Sequence, residues 1–95
     1  MGEKLPVFSS KEFIRVALQL GFQIKKGGKG SHTRLIHPQY KIVFTIPKVD
    51  TLSIGIRHGV LKDLEKIGIN YEKFIKLLSV GFLIFIKNLF FGLFR

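Results

Sequence analysis

The 95-residue sequence contains no cysteine. This absence excludes a disulfide-stapled scaffold, a cysteine-ligated zinc site and thiol chemistry, and it says little about the redox compartment. Acidic residues are scarce, with six Asp and Glu against sixteen Lys and Arg, so the formal net charge is +10. We expect such a chain to bind an anionic partner, whether nucleic acid, an acidic protein or an anionic membrane surface. Its length accommodates one domain with one small core.

The scarcity of acids is most pronounced in one half of the chain. No Asp or Glu occurs between Phe13 and Val49, whereas seven Lys and Arg fall in that stretch. The positive field is therefore expected to be concentrated there. No group of Asp, Glu and His has the spacing of a metal site, and we predict neither a metal nor another cofactor. The first eight residues contain no apolar run typical of a signal peptide, so we expect none.

The first half of the sequence predicts a helix followed by three strands. Residues 10–20 have the apolar spacing of a helix, and Ser9–Glu12 has the form of a capping box at its start. Gly21 stands where a helix commonly ends. Alternating and β-branched segments predict strands over residues 22–25, 31–37 and 41–46. A loop is expected at residues 27–30, because three glycines in four residues suit neither helix nor strand.

The second half predicts two more helices. Thr51 or Ser53 is expected to cap the first of them, and Gly68 to end it. Asn70 is expected to cap a last short helix. The predicted fold class is therefore α+β, with an αβββα order followed by an extra short helix. A three-stranded antiparallel sheet with the helices on one face gives these elements a shared core.

The composition changes abruptly near residue 79. Residues 79–95 contain eleven apolar residues in seventeen, including five of the ten Phe. The segment is short for a transmembrane helix, has Lys87 near its middle and lacks the polar face of a surface-bound helix. We therefore divide the chain into a domain over residues 1–78 and an apolar tail over 79–95. The tail extends the last helix, forms an aggregation-prone end, or derives from out-of-frame coding past a natural stop.

Gly30-Ser31-His32 stands where the basic Gly-rich loop meets the second predicted strand, and a Gly-Phe pair precedes that loop. This arrangement resembles the HicA family of toxin mRNA interferases. Further pieces of the family pattern follow in order: His37-Pro38, Thr45-Ile46-Pro47, Val60-Leu61-Lys62 and Gly68-Ile69. The resemblance covers about residues 8–78.

The resemblance carries expectations for fold, activity and partner. It implies a double-stranded-RNA-binding-like fold, cleavage of mRNA in the cytoplasm, and silencing by a HicB-like antitoxin. It also implies that His32 is the catalytic residue. The chain departs from the family at Thr33, where a second His or an apolar residue is common. It departs again at residues 54–58, which replace a Lys-Pro pair before the second helix.

Metal-free RNA cleavage needs a base for the 2′-hydroxyl, an acid for the leaving 5′-oxygen and positive charge beside the phosphorane. An imidazole serves as base or acid near neutral pH, which suits His32. His37 has the opposite strand parity and is expected to be structural. Ser31 is expected to position the loop or His32. The predicted RNA-binding set, which contributes cations and backbone N–H groups, is Lys25, Lys26, Lys29, Gly30, Ser31 and Arg34.

Alternatives stay open for both the residue and the protein. From its chemistry alone, His32 also fits a strand-edge histidine that bonds a backbone carbonyl. The same fold can hold structured RNA without cutting it, because a fold does not dictate an activity. A third alternative is a peripheral membrane protein that uses the basic body and the apolar tail to bind a membrane. Of these two partners, we expect RNA rather than a membrane.

Overall fold

A computed structural model describes residues 5–25 and 30–80 of the chain. Its elements, in chain order, are α1 (Ser10–Gln19), β1 (Gln23–Lys25), β2 (His32–Ile36), β3 (Val43–Pro47) and α2 (Ile54–Lys66). Residues 71–80 are helical and form α3. The strands make one antiparallel sheet in the order β1-β2-β3. The predicted α+β class and αβββα order, with an additional helix, are confirmed.

Helix α1 begins and ends on local signals. The Ser9 hydroxyl accepts a hydrogen bond from the Glu12 N–H at 3.0 Å, and the Glu12 carboxylate accepts one from the Ser9 N–H at 2.9 Å. This reciprocal pair confirms the capping box and stabilises the helix by about 1 kcal/mol. Beyond the last turn, Gly21 has a φ of +96°. That left-handed conformation costs glycine little and other residues more, so the predicted helix end is also confirmed.

The caps of the two later helices follow the same logic. Ser53 is the N-cap of α2, because its hydroxyl accepts a hydrogen bond from the Ile56 N–H at 3.3 Å. Asn70 caps α3, since its side-chain oxygen accepts a hydrogen bond from the Lys73 N–H at 2.9 Å. Of the two candidate caps for α2, the structure therefore selects Ser53.

Strand register assigns the two faces of the sheet. Leu35 of β2 pairs with Ile24 of β1 and with Phe44 of β3, so these three residues share a face. Leu35 and Phe44 are buried, as is Ile46 two residues further along. Ile24 is 54% exposed, because β1 is a short strand at the edge of the described sheet. Phe44 and Ile46 therefore mark the inner face of β3.

The helices pack on that same face. The buried core between the sheet and the helices includes one residue each from α1, β3, α2 and α3, namely Phe13, Phe44, Leu64 and Phe74. The rings of Phe13 and Phe44 lie 5.3 Å apart in an edge-to-face arrangement, which aromatic pairs prefer. Phe8, ahead of α1, packs 5.0 Å from Phe74. The packed body therefore extends from Phe8 at least to Phe74.

Two predictions fall largely outside the described residues. Of the Gly-rich loop at 27–30, only Gly30 is described, with a φ of +65°. Of the apolar tail, only residues 79–80 are described, and they continue α3. The domain boundary at residue 78 thus stays a prediction. In the described part of the chain, no helix combines the length and apolarity needed to cross a membrane.

Candidate functional site

The candidate site is the sheet surface that faces away from the helices, which we call the open face. Its side chains alternate with the buried ones along each strand. It comprises Gln23, Lys25, His32, Arg34, Ile36, Val43, Thr45 and Pro47. Most of these residues are exposed, and Arg34, Ile36 and Pro47 are partly buried.

The antiparallel register arranges the open face in rows that run across the strands. They are the histidine row (His32 and Pro47), the cationic row (Lys25, Arg34 and Thr45) and the apolar row (Gln23, Ile36 and Val43). Partners within a row have Cβ atoms about 5 Å apart. Successive rows are separated by about 6.6 Å, since each strand residue advances ~3.3 Å. A ligand a few ångströms across therefore reaches two rows at once.

The cationic row carries positive charge that the described residues do not neutralise. Lys25 lies directly opposite Arg34, and like charges in that position destabilise a sheet. None of the described Asp and Glu residues belongs to a strand. The ion pair that the described residues do form, Lys66 with Asp63 at 3.4 Å, is on α2. An anion over this row would remove the repulsion between the two cations.

His32 is the first residue of β2 and is exposed on the open face. It pairs with Pro47 and stands two residues from Arg34 on the same strand. Within the described residues its imidazole forms no hydrogen bond, so the strand-edge alternative has no carbonyl partner there. No described residue therefore engages either ring nitrogen, and the imidazole lies one row from the two cations.

The turn that leads to His32 is held by the backbone. The Ser31 carbonyl accepts a hydrogen bond from the Lys48 N–H at 3.1 Å, which extends the β2–β3 ladder by one pair. Gly30 and the Ser31 side chain are exposed at the same end of the sheet. Lys26 and Lys29 lie outside the described residues, so their part in the site stays a prediction.

His37 belongs to the opposite, buried face, as its strand parity predicts. It is 6% exposed, and its Nδ1 accepts a hydrogen bond from the Gln39 N–H at 3.1 Å. The proton therefore resides on Nε2, which donates to the Leu20 carbonyl at 3.0 Å. The ring joins the turn after α1 to the β2–β3 hairpin, and its role is structural.

Residues 54–58, where the sequence departs from the HicA pattern, contribute a structural contact. The Arg57 side chain donates from Nε to the Leu52 carbonyl at 2.8 Å and from Nη1 to the Pro6 carbonyl at 2.9 Å. These bonds connect the start of α2 to the segment ahead of α1. Arg57 thus supports the packed body and is not a member of the open face.

The sequence-based set of site residues omitted five members of the open face: Gln23, Ile36, Val43, Thr45 and Pro47. The signal that identifies them is strand parity, because each alternates with a residue of the buried face. Their grouping by rows depends on register, which periodicity does not supply. Among the described residues, no three His, Asp or Glu side chains lie together in a way that suits a metal ion.

A comparison with protein families identifies the chain. The family model of the HicA toxin of bacterial toxin–antitoxin matches residues 10–68, more than half of the sequence. The chain belongs to the HicA toxin family. Neither the curated proteins nor the solved structures contain a significant match. The HicA match begins with the first residue of α1 and includes β1, β2 and β3, so it contains the whole open face. A toxin role within a toxin–antitoxin system follows from this membership.

Proposed function

We propose that this HicA-family chain is an endoribonuclease that cleaves mRNA without a metal ion and uses His32 as an acid or base. The observation that supports this most directly is the exposed His32 imidazole, one row from Lys25 and Arg34 on the open face. An imidazole beside two cations, on a face that carries no described carboxylate, is suited to a phosphodiester substrate.

The reaction proposed is an internal transfer within the RNA. A base removes the proton of the 2′-hydroxyl while the 2′-oxygen bonds to phosphorus. The bond from phosphorus to the 5′-oxygen then breaks as an acid protonates that oxygen. The products are a 2′,3′-cyclic phosphate and a 5′-hydroxyl end. Because the nucleophile is the 2′-hydroxyl, DNA is not a substrate.

The cationic row has the chemistry to hold the reacting phosphate. The planar guanidinium of Arg34 can donate two parallel hydrogen bonds to phosphate oxygens, whereas Lys25 contributes a mobile point charge. Thr45, next to Arg34, adds a hydroxyl. In this proposal the row stabilises the negative charge that grows on the phosphorane while His32 moves the proton.

The partner proposed is a HicB-like antitoxin, with mRNA as substrate and the cytoplasm as the site of action. An inhibitor with carboxylates placed over Lys25 and Arg34 would complement the open face in charge and would exclude RNA from it. Gly30 and Ser31 are proposed to contact RNA at the end of the sheet where β2 begins, and Lys26 and Lys29 keep the RNA contacts predicted from the sequence.

A non-catalytic RNA-binding module is the second candidate. It is favoured by one observation, that no other His and no carboxylate accompanies His32 among the described open-face residues. Cleavage needs both an acid and a base, whereas binding needs only the cations and exposed polar groups.

The decisive experiment incubates the purified chain with mRNA in EDTA and analyses the new RNA ends. The variants are His32→Ala and a matched control, His58→Ala, which removes an exposed histidine of α2. We expect wild type and His58→Ala to cut equally and to leave cyclic phosphates. His32→Ala should still bind RNA but cut at least about 100-fold more slowly. Wild type that binds RNA without cutting it would support the binding module instead.

A further inference from the structure

The apolar row places exposed aliphatic surface beside the cationic row. Val43 is 43% exposed, and its partner Ile36 is partly buried. Gln23 completes the row with an exposed amide on the edge strand. The solvated face of an antiparallel sheet usually carries polar residues at such positions. The exposed aliphatic surface of this row is therefore suited to a ligand with an apolar surface and polar edges.

We propose that the apolar row is a nucleobase subsite, which binds the base adjacent to the phosphate held by Lys25 and Arg34. This inference rests on the proposed function and deepens it, because it assigns base preference at the cut to Gln23, Ile36 and Val43. The face of the base packs on the two aliphatic side chains, and the Gln23 amide hydrogen-bonds the base edge.

The chemistry of single-stranded RNA fits this arrangement. Unstacked bases are bound by packing their faces on side chains and by hydrogen bonds to their edges. Glutamine offers both a donor and an acceptor, the pattern that recognises adenine in paired donor and acceptor contacts. Aliphatic side chains tolerate any base, so Ile36 and Val43 contribute affinity while Gln23 contributes selectivity.

The charge of the neighbouring row specifies the occupant. Lys25 and Arg34 lie one row away, about 6.6 Å along the strands, which is within the reach of one nucleotide. No described carboxylate on the open face opposes a phosphate. A nucleotide that extends from the cationic row to the apolar row therefore satisfies both, with its phosphate on the cations and its base on the aliphatic surface.

The test compares Val43→Ala with the matched control Val49→Ala, since Val49 is similarly exposed at 40% and lies beyond β3, outside the sheet. RNAs that carry each of the four bases next to one cut site are the substrates. We expect Val43→Ala to lose about fivefold in kcat/KM and Val49→Ala to match wild type. Val43→Tyr, which adds a stacking surface and retains β propensity, should bind RNA several-fold more tightly.

Gln23→Ala is the selectivity arm of the same test, and it should flatten the preference among the four bases. If wild type cuts RNA but Val43→Ala and Gln23→Ala keep its efficiency and base preference, the nucleobase subsite is wrong while the nuclease stands. A Val43→Ala effect confined to oligomeric state, with RNA cleavage unchanged, also overturns it. Wild type that neither binds nor cuts RNA refutes the proposed function itself. If wild type binds without cutting, the same comparisons are made on RNA affinity.

Discussion

Lys25→Gln is expected to stabilise the fold and to weaken RNA binding at the same time. Lys25 faces Arg34 across β1 and β2, and neither forms an ion pair with a described residue. Like charges directly opposite on a sheet cost about 0.5 kcal/mol. Glutamine keeps the length and polarity of the side chain but removes that repulsion. Two facing cations are retained where they bind an anion, because the binding compensates for the lost stability. A sheet with a purely structural role has no reason to keep them.

The gain in stability is measurable by urea unfolding. A domain of this size has a denaturant dependence of roughly 1 kcal/mol per M, so the midpoint should rise by about 0.5 M at low salt. Lys25 is exposed and Arg34 is only partly buried, so salt screens the repulsion between them. The Debye length falls to about 3 Å at 1 M salt, where the stability difference between Lys25→Gln and wild type should vanish.

The loss in RNA binding is read from its salt dependence. Each phosphate contact contributes about 0.7 to the slope of log affinity against log salt for a single strand. Lys25→Gln should reduce that slope by about 0.7 relative to wild type, if Lys25 neutralises one phosphate. Affinity should fall most at low salt and converge with wild type as salt increases.

Lys62→Gln is the matched control, because it removes the same charge from an exposed position on α2. It reports the effect of lowering the net charge without touching the open face. We expect its urea midpoint to move less than that of Lys25→Gln and its salt slope to match wild type. A Lys25→Gln variant that is less stable than wild type, or that keeps the full salt slope, would refute the assignment of the cationic row.

Two further predictions concern the packed body. Gly21→Ala should lower the free energy of unfolding by about 1–3 kcal/mol, because φ is +96° and the new Cβ lies 3.1 Å from the His37 Nε2. Gly68→Ala, with a φ of +89° and open space around its Cβ, should cost less, and equal urea midpoints would contradict the His37 contact. Arg57→Met should cost about 1–3 kcal/mol through two lost bonds to carbonyls, yet leave RNA cleavage unchanged below the melting temperature. Arg15→Met on α1 is its charge-matched control, and similar melting temperatures would argue against the Arg57 contact.

Much of the fold is predictable because its signals are local. The Ser9–Glu12 capping box, Gly21 and the Asn70 cap each act within one helical turn, and each lies where the sequence places it. Alternation along β3 likewise identifies its buried face. Choosing between Thr51 and Ser53 as the cap of α2 was not possible from spacing, because both stand close enough to the first turn. The structure selects Ser53 through its bond to the Ile56 N–H.

The candidate site was only partly predictable. The resemblance to the HicA family points to His32, and the acid-free, basic stretch around it makes Lys25 and Arg34 candidates for phosphate contact. Local patterning does not reveal that Val43 stays exposed next to them, because that depends on which face the helices cover. It also does not reveal that Ile24, on the covered side, stays half exposed at the edge of the described sheet.

Composition and spacing are sufficient to predict a strongly basic α+β domain with defined helix ends, because the charge is counted directly from the sequence and each cap involves residues close together in the chain. The rows of the open face required the folded sheet. Lys25 and Arg34 are separated along the chain and become direct neighbours only through the β1–β2 register. Register depends on the simultaneous burial of one face of every strand against the helices, and no single segment of the sequence contains that information.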